Sequence, residues 1–464
     1  MASDESSPLV ARSANGRSKK ALILKLTLGG ALLVLALWLI QDHGHSDSTP
    51  EGSFVCGVTN SSAGHIKLTN KEDDHYFYWF FESRTSPETD PLVLWLTGGP
   101  GSSSMFALLT ENGPCTIQGD LSTKLNPFSW NTTNVIWLDQ PTGVGYSFGS
   151  PADKDFNETN VEPRVLRDGE SYGGHYVPAA AHYIWSLNKE TKASDEVPLI
   201  NLQGLAIGNG LTNPAVQYAY YQDMNHNRYN LTLFTEGEEQ QMKSDSVECI
   251  RLTQDCQATP RNDTACKIAP ECWSEKLIAP FSKANRDNYD IRRPCNNSDP
   301  NSACGAHLLI AEYLNSPTVR KYLNVNERAP AWHEDSDEVE KTFTGDGDWS
   351  MPFHQFVAEM LDDALRVLIY AGDADLMCPW IGNRAWTLDL EWQGKDGYNA
   401  VEERAFIAHD PLLPDGGSNI DAGVVRSFDN FAFVRVYDAG HMVPMNQPAV
   451  SLNLINRFFT NKTL

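Results

Sequence analysis

Apolar residues in this chain gather into short unbroken runs more often than they alternate with polar ones. Residues 92–96 (Leu-Val-Leu-Trp-Leu) and 135–138 are of this kind, as is 366–371 after its leading Arg366, and 434–437 (Val-Arg-Val-Tyr), though interrupted by Arg435, is read as a further strand. A continuous run of that length predicts a strand buried on both faces. Three of the runs lead into loops loaded with glycine and reactive side chains: Thr97-Gly98-Gly99-Pro100-Gly101, Gly372-Asp373-Ala374-Asp375 and Ala439-Gly440-His441-Met442.

One apolar run is longer. Residues 21–40 are broken only by Lys25 and a few small or hydroxyl residues, enough for a helix to cross a hydrocarbon core of ~30 Å. Arg12, Arg17, Lys19 and Lys20 precede it, so the positive-inside rule puts residues 1–20 in the cytosol and the rest of the chain in the lumen or outside. The long leader, and the lack of a small-x-small site after Ile40, favour a retained type II signal anchor over a cleaved signal peptide. Residues 41–50 read as a stalk, in which His43 and His45 are linker residues and not metal ligands.

The segment Gly169-Glu170-Ser171-Tyr172-Gly173 fits the Gly-x-Ser-x-Gly nucleophile elbow, whose glycines permit a strained turn that exposes the serine oxygen. With Asp375 and His441 on loops after late strands, the chain order is Ser, Asp, His, the order of α/β-hydrolases. In that arrangement His441 takes the proton from Ser171 and returns it to the leaving amine, while Asp375 orients the imidazole. Asp373 is expected to hold its own turn by local hydrogen bonds.

Composition narrows the setting. The 464 residues are 41% hydrophobic, enough for a full core, and carry a net charge of −24. Such acidity excludes nucleic-acid binding, which needs a basic surface. Sequons at Asn60, Asn131, Asn157, Asn230, Asn262, Asn296 and Asn461 would accept glycans on the lumenal side. Six of the nine cysteines (Cys249, Cys256, Cys266, Cys272, Cys295, Cys304) fall in one polar stretch. They read as disulfides of an oxidising compartment, since a zinc cluster would show Cys-x-x-Cys pairs or interleaved histidines.

Seven segments together resemble the serine carboxypeptidase family (carboxypeptidase Y/cathepsin A-like): Leu-Trp-Leu-Thr-Gly-Gly-Pro-Gly at 94–101, Glu-Asn-Gly-Pro at 111–114, Trp-Leu-Asp-Gln-Pro-Thr-Gly-Val-Gly-Tyr-Ser at 137–147, Gly-Glu-Ser-Tyr-Gly-Gly-His-Tyr-Val-Pro at 169–178, Ile-Gly-Asn-Gly-Leu-Thr at 207–212, Tyr-Ala-Gly-Asp-Ala-Asp at 370–375 and Gly-His-Met-Val-Pro at 440–444. The resemblance spans about 51–464. It implies an α/β-hydrolase with a mixed central sheet flanked by helices, interrupted by a disulfide-bearing cap at about 213–324.

By the same resemblance Ser171, Asp375 and His441 form the triad, and the backbone N–H groups of Gly99 and Tyr172 form the oxyanion hole. Thr97, Gly98, Glu111 and Glu170 would hold the free carboxylate of a peptide C-terminus. Thr97 replaces the family's usual asparagine, which keeps a hydroxyl donor and loses the amide's reach. Two neighbouring glutamates beside an incoming carboxylate must share a proton, so an acidic pH optimum follows. Met442 matches members that prefer apolar C-terminal residues, and Cys378 matches a free thiol near the pocket. The resemblance also gives the pairings Cys249–Cys272, Cys256–Cys266 and Cys295–Cys304, and leaves Cys56 and Cys115 unassigned. No metal or organic cofactor is implied. The implied setting is lysosomal, vacuolar or extracellular, the partners are peptide C-termini and the membrane, and fold analogy gives a homodimer as the expected assembly.

One interval departs from the family. Between 135–138 and Ser171 only about thirty residues remain, where the fold needs a loop, a crossover helix and a strand. Residues 155–168 read Asp-Phe-Asn-Glu-Thr-Asn-Val-Glu-Pro-Arg-Val-Leu-Arg-Asp, with no helix of useful length, and a buried strand at Val165-Leu166 would have charges near its centre. Three readings therefore stand: a carboxypeptidase acting through an acyl-enzyme, a carboxypeptidase-like acyltransferase, and a catalytically impaired relative or shortened form.

Overall fold

The computed structural model describes residues 56–57, 59–68, 71–155, 167–190, 199–295, 308–410, 412 and 419–464. The expected tail, anchor and stalk (1–50), Asn157, Asn296 and Cys304 lie outside the described residues. Among the described residues no helix is long and apolar enough to cross a membrane.

Strands β1 (Ser61–Lys67), β2 (His75–Phe81) and β3 (Leu92–Leu96) come first, and β4 (Cys115–Ile117) pairs with β5 (Thr123–Leu125) in a separate ribbon. Then follow β6 (Asn134–Leu138), β7 (Arg167–Glu170), β8 (Gly204–Gly208), β9 (Arg366–Gly372), β10 (Arg404–His409), β11 (Asn419–Phe428) and β12 (Phe431–Val436). Apart from the ribbon they form one sheet in the order β1-β2-β6-β3-β7-β8-β9-β12-β11-β10. The six strands from β6 to β12 in that order run parallel, and the two strands beyond each end are antiparallel.

Side chains alternate across this sheet, as the pleat requires. Trp79, Val93, Trp95, Val135 and Trp137 pack on one face with Met105 and Leu108 of helix α1 (Ser104–Thr110) and with Leu454 and Phe458 of the last helix, Pro448–Phe459. Leu94 and Ile136 belong to the cluster of Tyr172 and of Tyr176 from helix α2 (Gly173–Glu190). This is the layered α/β architecture expected, with a mixed sheet.

One local expectation is corrected. The strand read at 434–437 begins three residues earlier, because Phe431, Ala432 and Phe433 are also buried and pair with β9. Val165-Leu166, the candidate centre of a strand feeding Ser171, lie outside the described residues, and the strand described before Ser171 is the four-residue β7. Its second residue, Asp168, is 1% exposed and sits between Trp95 of β3 and Ala206 of β8. Between β6 and β7 the described residues form only the short turn Pro151–Asp153, with 156–166 undescribed.

Between β8 and β9 the chain carries helices α3 (Glu236–Gln257) and α4 (Asp263–Cys272). Thr235 and Glu238 form a reciprocal capping box at the start of α3, which satisfies two otherwise unpaired N–H groups. Disulfides Cys249–Cys272 and Cys256–Cys266 join the two helices in the nested pattern expected. Cys56 and Cys115, left unassigned from sequence, are bonded to each other, and Cys295 is disulfide-bonded. Asn230, Asn262 and Asn461 are exposed, whereas Asn60 and Asn131 are half-buried.

Candidate active site

Ser171 sits at the turn from β7 into α2 with φ +61°, a left-handed conformation that a non-glycine residue holds only when its surroundings force it. Here its N–H donates to the Gly208 carbonyl (3.1 Å) and its carbonyl accepts from Leu211 N–H (2.9 Å). The glycines explain how the chain gets close enough. A Cβ on Gly169 would lie 2.3 Å from the Leu96 carbonyl oxygen, and one on Gly174 would lie 2.4 Å from the Leu211 carbonyl oxygen.

The loop after β3 packs directly on this elbow. A Cβ on Gly98 would lie 2.3 Å from the backbone nitrogen of Tyr172, and Gly99 has φ +104°. Gly98 is therefore required to bring the loop after β3 against the Tyr172 backbone, and the positive φ of Gly99 turns the chain there.

His441 and Asp375 arrive from the loops after β12 and β9. His441 Nδ1 and Asp375 Oδ2 are 2.8 Å apart, and both residues are buried. Asp375 is held on both oxygens: Oδ2 also accepts from Asn209 Nδ2 (2.8 Å) and Cys378 N–H (3.1 Å), and Oδ1 accepts from Met377 N–H (2.9 Å). Burial opposes a charge on His441, but the Asp375 carboxylate outweighs it, with Glu170 and Asp287 adding to the effect, so the imidazole pKa is raised. Its Nε2 has no protein hydrogen-bond partner and is buried, and His441 and Ser171 line the same cavity of about 190 Å³.

Asp373 does not act locally as expected. It takes Tyr229 Oη, Arg435 Nη2 (3.1 Å) and Asp438 N–H (3.0 Å), tying the segment before α3 to the end of β12.

Thr97, Gly99, Glu170, Tyr172, Cys378 and Met442 also line the cavity, whereas Gly98, Glu111 and Asp375 stand behind its wall. The Thr97 hydroxyl accepts from Trp95 Nε1 (2.9 Å), which leaves its own proton to donate to a ligand. Glu111, at the end of α1, and Glu170 are 2% and 3% exposed. Burial, followed by the nearby Asp168, raises Glu111 to about 7. Burial, followed by the charge of Glu111, raises Glu170 well above the usual carboxylate range. Two ionised carboxylates offer each other no donor, and both Glu111 oxygens and Glu170 Oε2 lack partners on that footing. A proton between the two groups turns the contact into a hydrogen bond, so the protonated pair is the stable state. Burial pushes the Cys378 thiol well up, with Asp375 adding to it, so Cys378 is no thiolate at neutral pH.

Sequence reasoning missed Asn209 and the aromatic wall. Asn209 is buried and also accepts from Gly372 N–H (3.0 Å), so it clamps Asp375 to the end of β9. Its segment, 207–212, belongs to the family resemblance, but nothing in the string of residues assigns it a task. Tyr221, Trp273 and Tyr289, from the chain between β8 and β9, line the cavity, with Trp273 Nε1 donating to Tyr221 Oη (2.8 Å). Only tertiary packing places them.

A serine on a strained strand–helix turn, sharing a cavity with a carboxylate-bound imidazole at the C-terminal edge of a mixed sheet, defines an α/β-hydrolase-type enzyme. The model of the serine carboxypeptidase family matches residues 53–167 and 163–461, two segments that meet at the short connection before Ser171. The chain is 37% identical over 411 residues to the vacuolar serine-type carboxypeptidase ATG42 of Saccharomyces cerevisiae, covering 84% of this chain and 77% of that one. It is 37% identical over 460 residues to a carboxypeptidase Y homolog A of Aspergillus niger, covering 92% and 79%. The crystal structure of the prohormone-processing carboxypeptidase Kex1 from Saccharomyces cerevisiae superposes with a TM-score of 0.71 at 24% identity, covering 88% and 92%. This chain belongs to the serine carboxypeptidase family, whose members are serine-type hydrolases.

Proposed function

We propose that this protein removes apolar C-terminal residues from peptides through an acyl-enzyme on Ser171. The observation that carries the reading is the His441–Asp375 contact with His441 Nε2 unpartnered in the cavity that Ser171 lines. In this mechanism Nε2 takes the Ser171 Oγ proton as the oxygen attacks the scissile carbonyl, and the oxyanion is held by the N–H groups of Gly99 and Tyr172. The imidazolium gives its proton to the leaving amine, the C–N bond breaks, and the free amino acid departs. Water, deprotonated by His441, then opens the acyl-enzyme.

The proton shared by Glu111 and Glu170, with the Thr97 hydroxyl, supplies donors for the substrate's terminal carboxylate. Met442 and the aromatic wall supply an apolar surface for its side chain. A peptide carboxylate is the ligand that needs such a proton, so the pair favours the peptidase over the acyltransferase. Asn230, Asn262 and Asn461, exposed in sequons, are proposed glycan sites, and the name of the yeast relative favours a vacuolar setting. The run at 21–40 is proposed as the anchor, to be tested by resistance to alkaline extraction from membranes.

The competing reading, an impaired enzyme, draws on the buried Asp168 and the short connection before β7. Labelling the lumenal domain with a fluorophosphonate at mildly acidic pH, with Ser171→Ala as control, separates the two. Labelling that depends on Ser171 is expected. A folded protein that stays unlabelled would overturn the catalytic reading.

A further inference from the structure

We propose that Asp168 is a positioning residue that keeps the Glu111–Glu170 pair supplied with protons, extending peptide binding to higher pH than a carboxyl pair alone would allow. The inference rests on the reading of that pair as the carboxylate-binding group.

The placement follows from the strand. Asp168 and Glu170 are two residues apart on β7, so their side chains project to the same face of the sheet. Gly169, between them, faces the opposite side, where a Cβ would meet Val177 of α2 at 3.1 Å. The face that holds the carboxyls is the one covered by α1, whose end carries Glu111. Tyr370 of β9 closes the group from the far side. Its ring lies over Gly208, where a Cβ would come within 2.6 Å of it, and after burial the charges acting on its hydroxyl are those of Asp168, Glu170 and Glu111.

Asp168 is only weakly partnered. It is 1% exposed, and neither carboxyl oxygen makes a well-formed hydrogen bond. Burial opposes its charge most, and the Gly169 N–H and the Tyr370 hydroxyl lessen that difficulty without removing it, so its pKa stays well above the usual carboxylate range. The groups facing the three carboxyls are few. Glu170 feels His441 and Asp375 from the loops after β12 and β9. Among the described residues no lysine or arginine acts on Glu111 or Asp168.

Three carboxyls in one dry pocket can bear about one charge between them near neutral pH, because a second would sit beside the first in low dielectric. Three groups with one charge retain two protons, whereas the pair alone with one charge retains one. The extra proton is what a substrate carboxylate meets at Glu170, whose Oε2 is buried and unpartnered and which lines the cavity.

The test is the pH dependence of KM for a blocked dipeptide with a free C-terminal carboxylate, compared with the same dipeptide as its C-terminal amide. Asp168→Asn and Asp168→Ala are measured beside the unaltered protein from pH 4.5 to 8. Both variants should move the pH at which KM for the free acid rises downward by about one unit, with kcat nearly unchanged and the amide unaffected. Both also remove an unsatisfied acid from the core, so their Tm at pH 7.5 should equal or exceed that of the unaltered protein. Superimposable KM profiles in either folded variant would overturn the proposal. An unaltered protein with the same KM profile for acid and amide would instead remove the carboxylate-binding reading on which it rests.

Discussion

Replacing Glu111 by Gln tests the buried pair through stability, independent of any substrate. Glu111 is 2% exposed and its pKa rises from 4.5 to about 7, chiefly through burial. A carboxyl raised on folding contributes stability that is complete below its unfolded pKa and is lost as pH rises through the folded one. Folding should therefore weaken between about pH 4.5 and 7. At 1.36 kcal/mol per pKa unit the loss is on the order of 3 kcal/mol. Unfolding a domain of this size releases roughly 0.9 kcal/mol per degree of entropy, so the loss corresponds to about 4 °C in Tm. Thermal melts in buffers from pH 4.5 to 7.5 should show the unaltered protein falling by several degrees across this window. Glu111→Gln should fall by about 4 °C less, because glutamine keeps the shape and donates the hydrogen bond without titrating. Equal slopes for the two proteins would refute the argument that burial, not a compensating cation, governs the pair.

Two further outcomes follow from the geometry. Asn209→Ala removes a donor to Asp375 and an acceptor for Gly372 N–H, so folding stability should fall by about 2 kcal/mol and kcat by roughly tenfold, read by denaturant melts and steady-state kinetics. Gly98→Ala would place a Cβ 2.3 Å from the Tyr172 nitrogen. Fluorophosphonate labelling of that variant should therefore be lost, and labelling at the unaltered rate would show that the two loops are not in register.

Much of the molecule is written in local patterns. The runs at 92–96, 135–138 and 366–371 matched β3, β6 and β9 closely, since a strand buried on both faces has little freedom to be polar anywhere. Gly98, Gly99 and the elbow around Ser171 were readable for a similar reason: a close backbone approach excludes a Cβ, and that exclusion appears in the chain itself as glycine. The nested disulfides between α3 and α4 agreed with the family resemblance. The bond between Cys56 and Cys115 did not announce itself, because a pairing across 59 positions depends on where distant elements come to rest.

Contacts between remote segments were beyond reach of the pattern. Asn209 lies 166 positions before Asp375, and only the parallel pairing of β8 with β9 brings them together. Asp373 and Asp375 look alike in sequence, yet one meets Tyr229 and Arg435 while the other meets His441. The same holds for Asp168. Its charge near the centre of a buried strand reads as an obstacle to folding, and the sheet accepts it because burial raises the pKa values of Asp168, Glu111 and Glu170 together, so that most of their protons are kept. Local sterics and apolar periodicity are properties of neighbouring residues, whereas a protonation state belongs to whatever the fold assembles around the group.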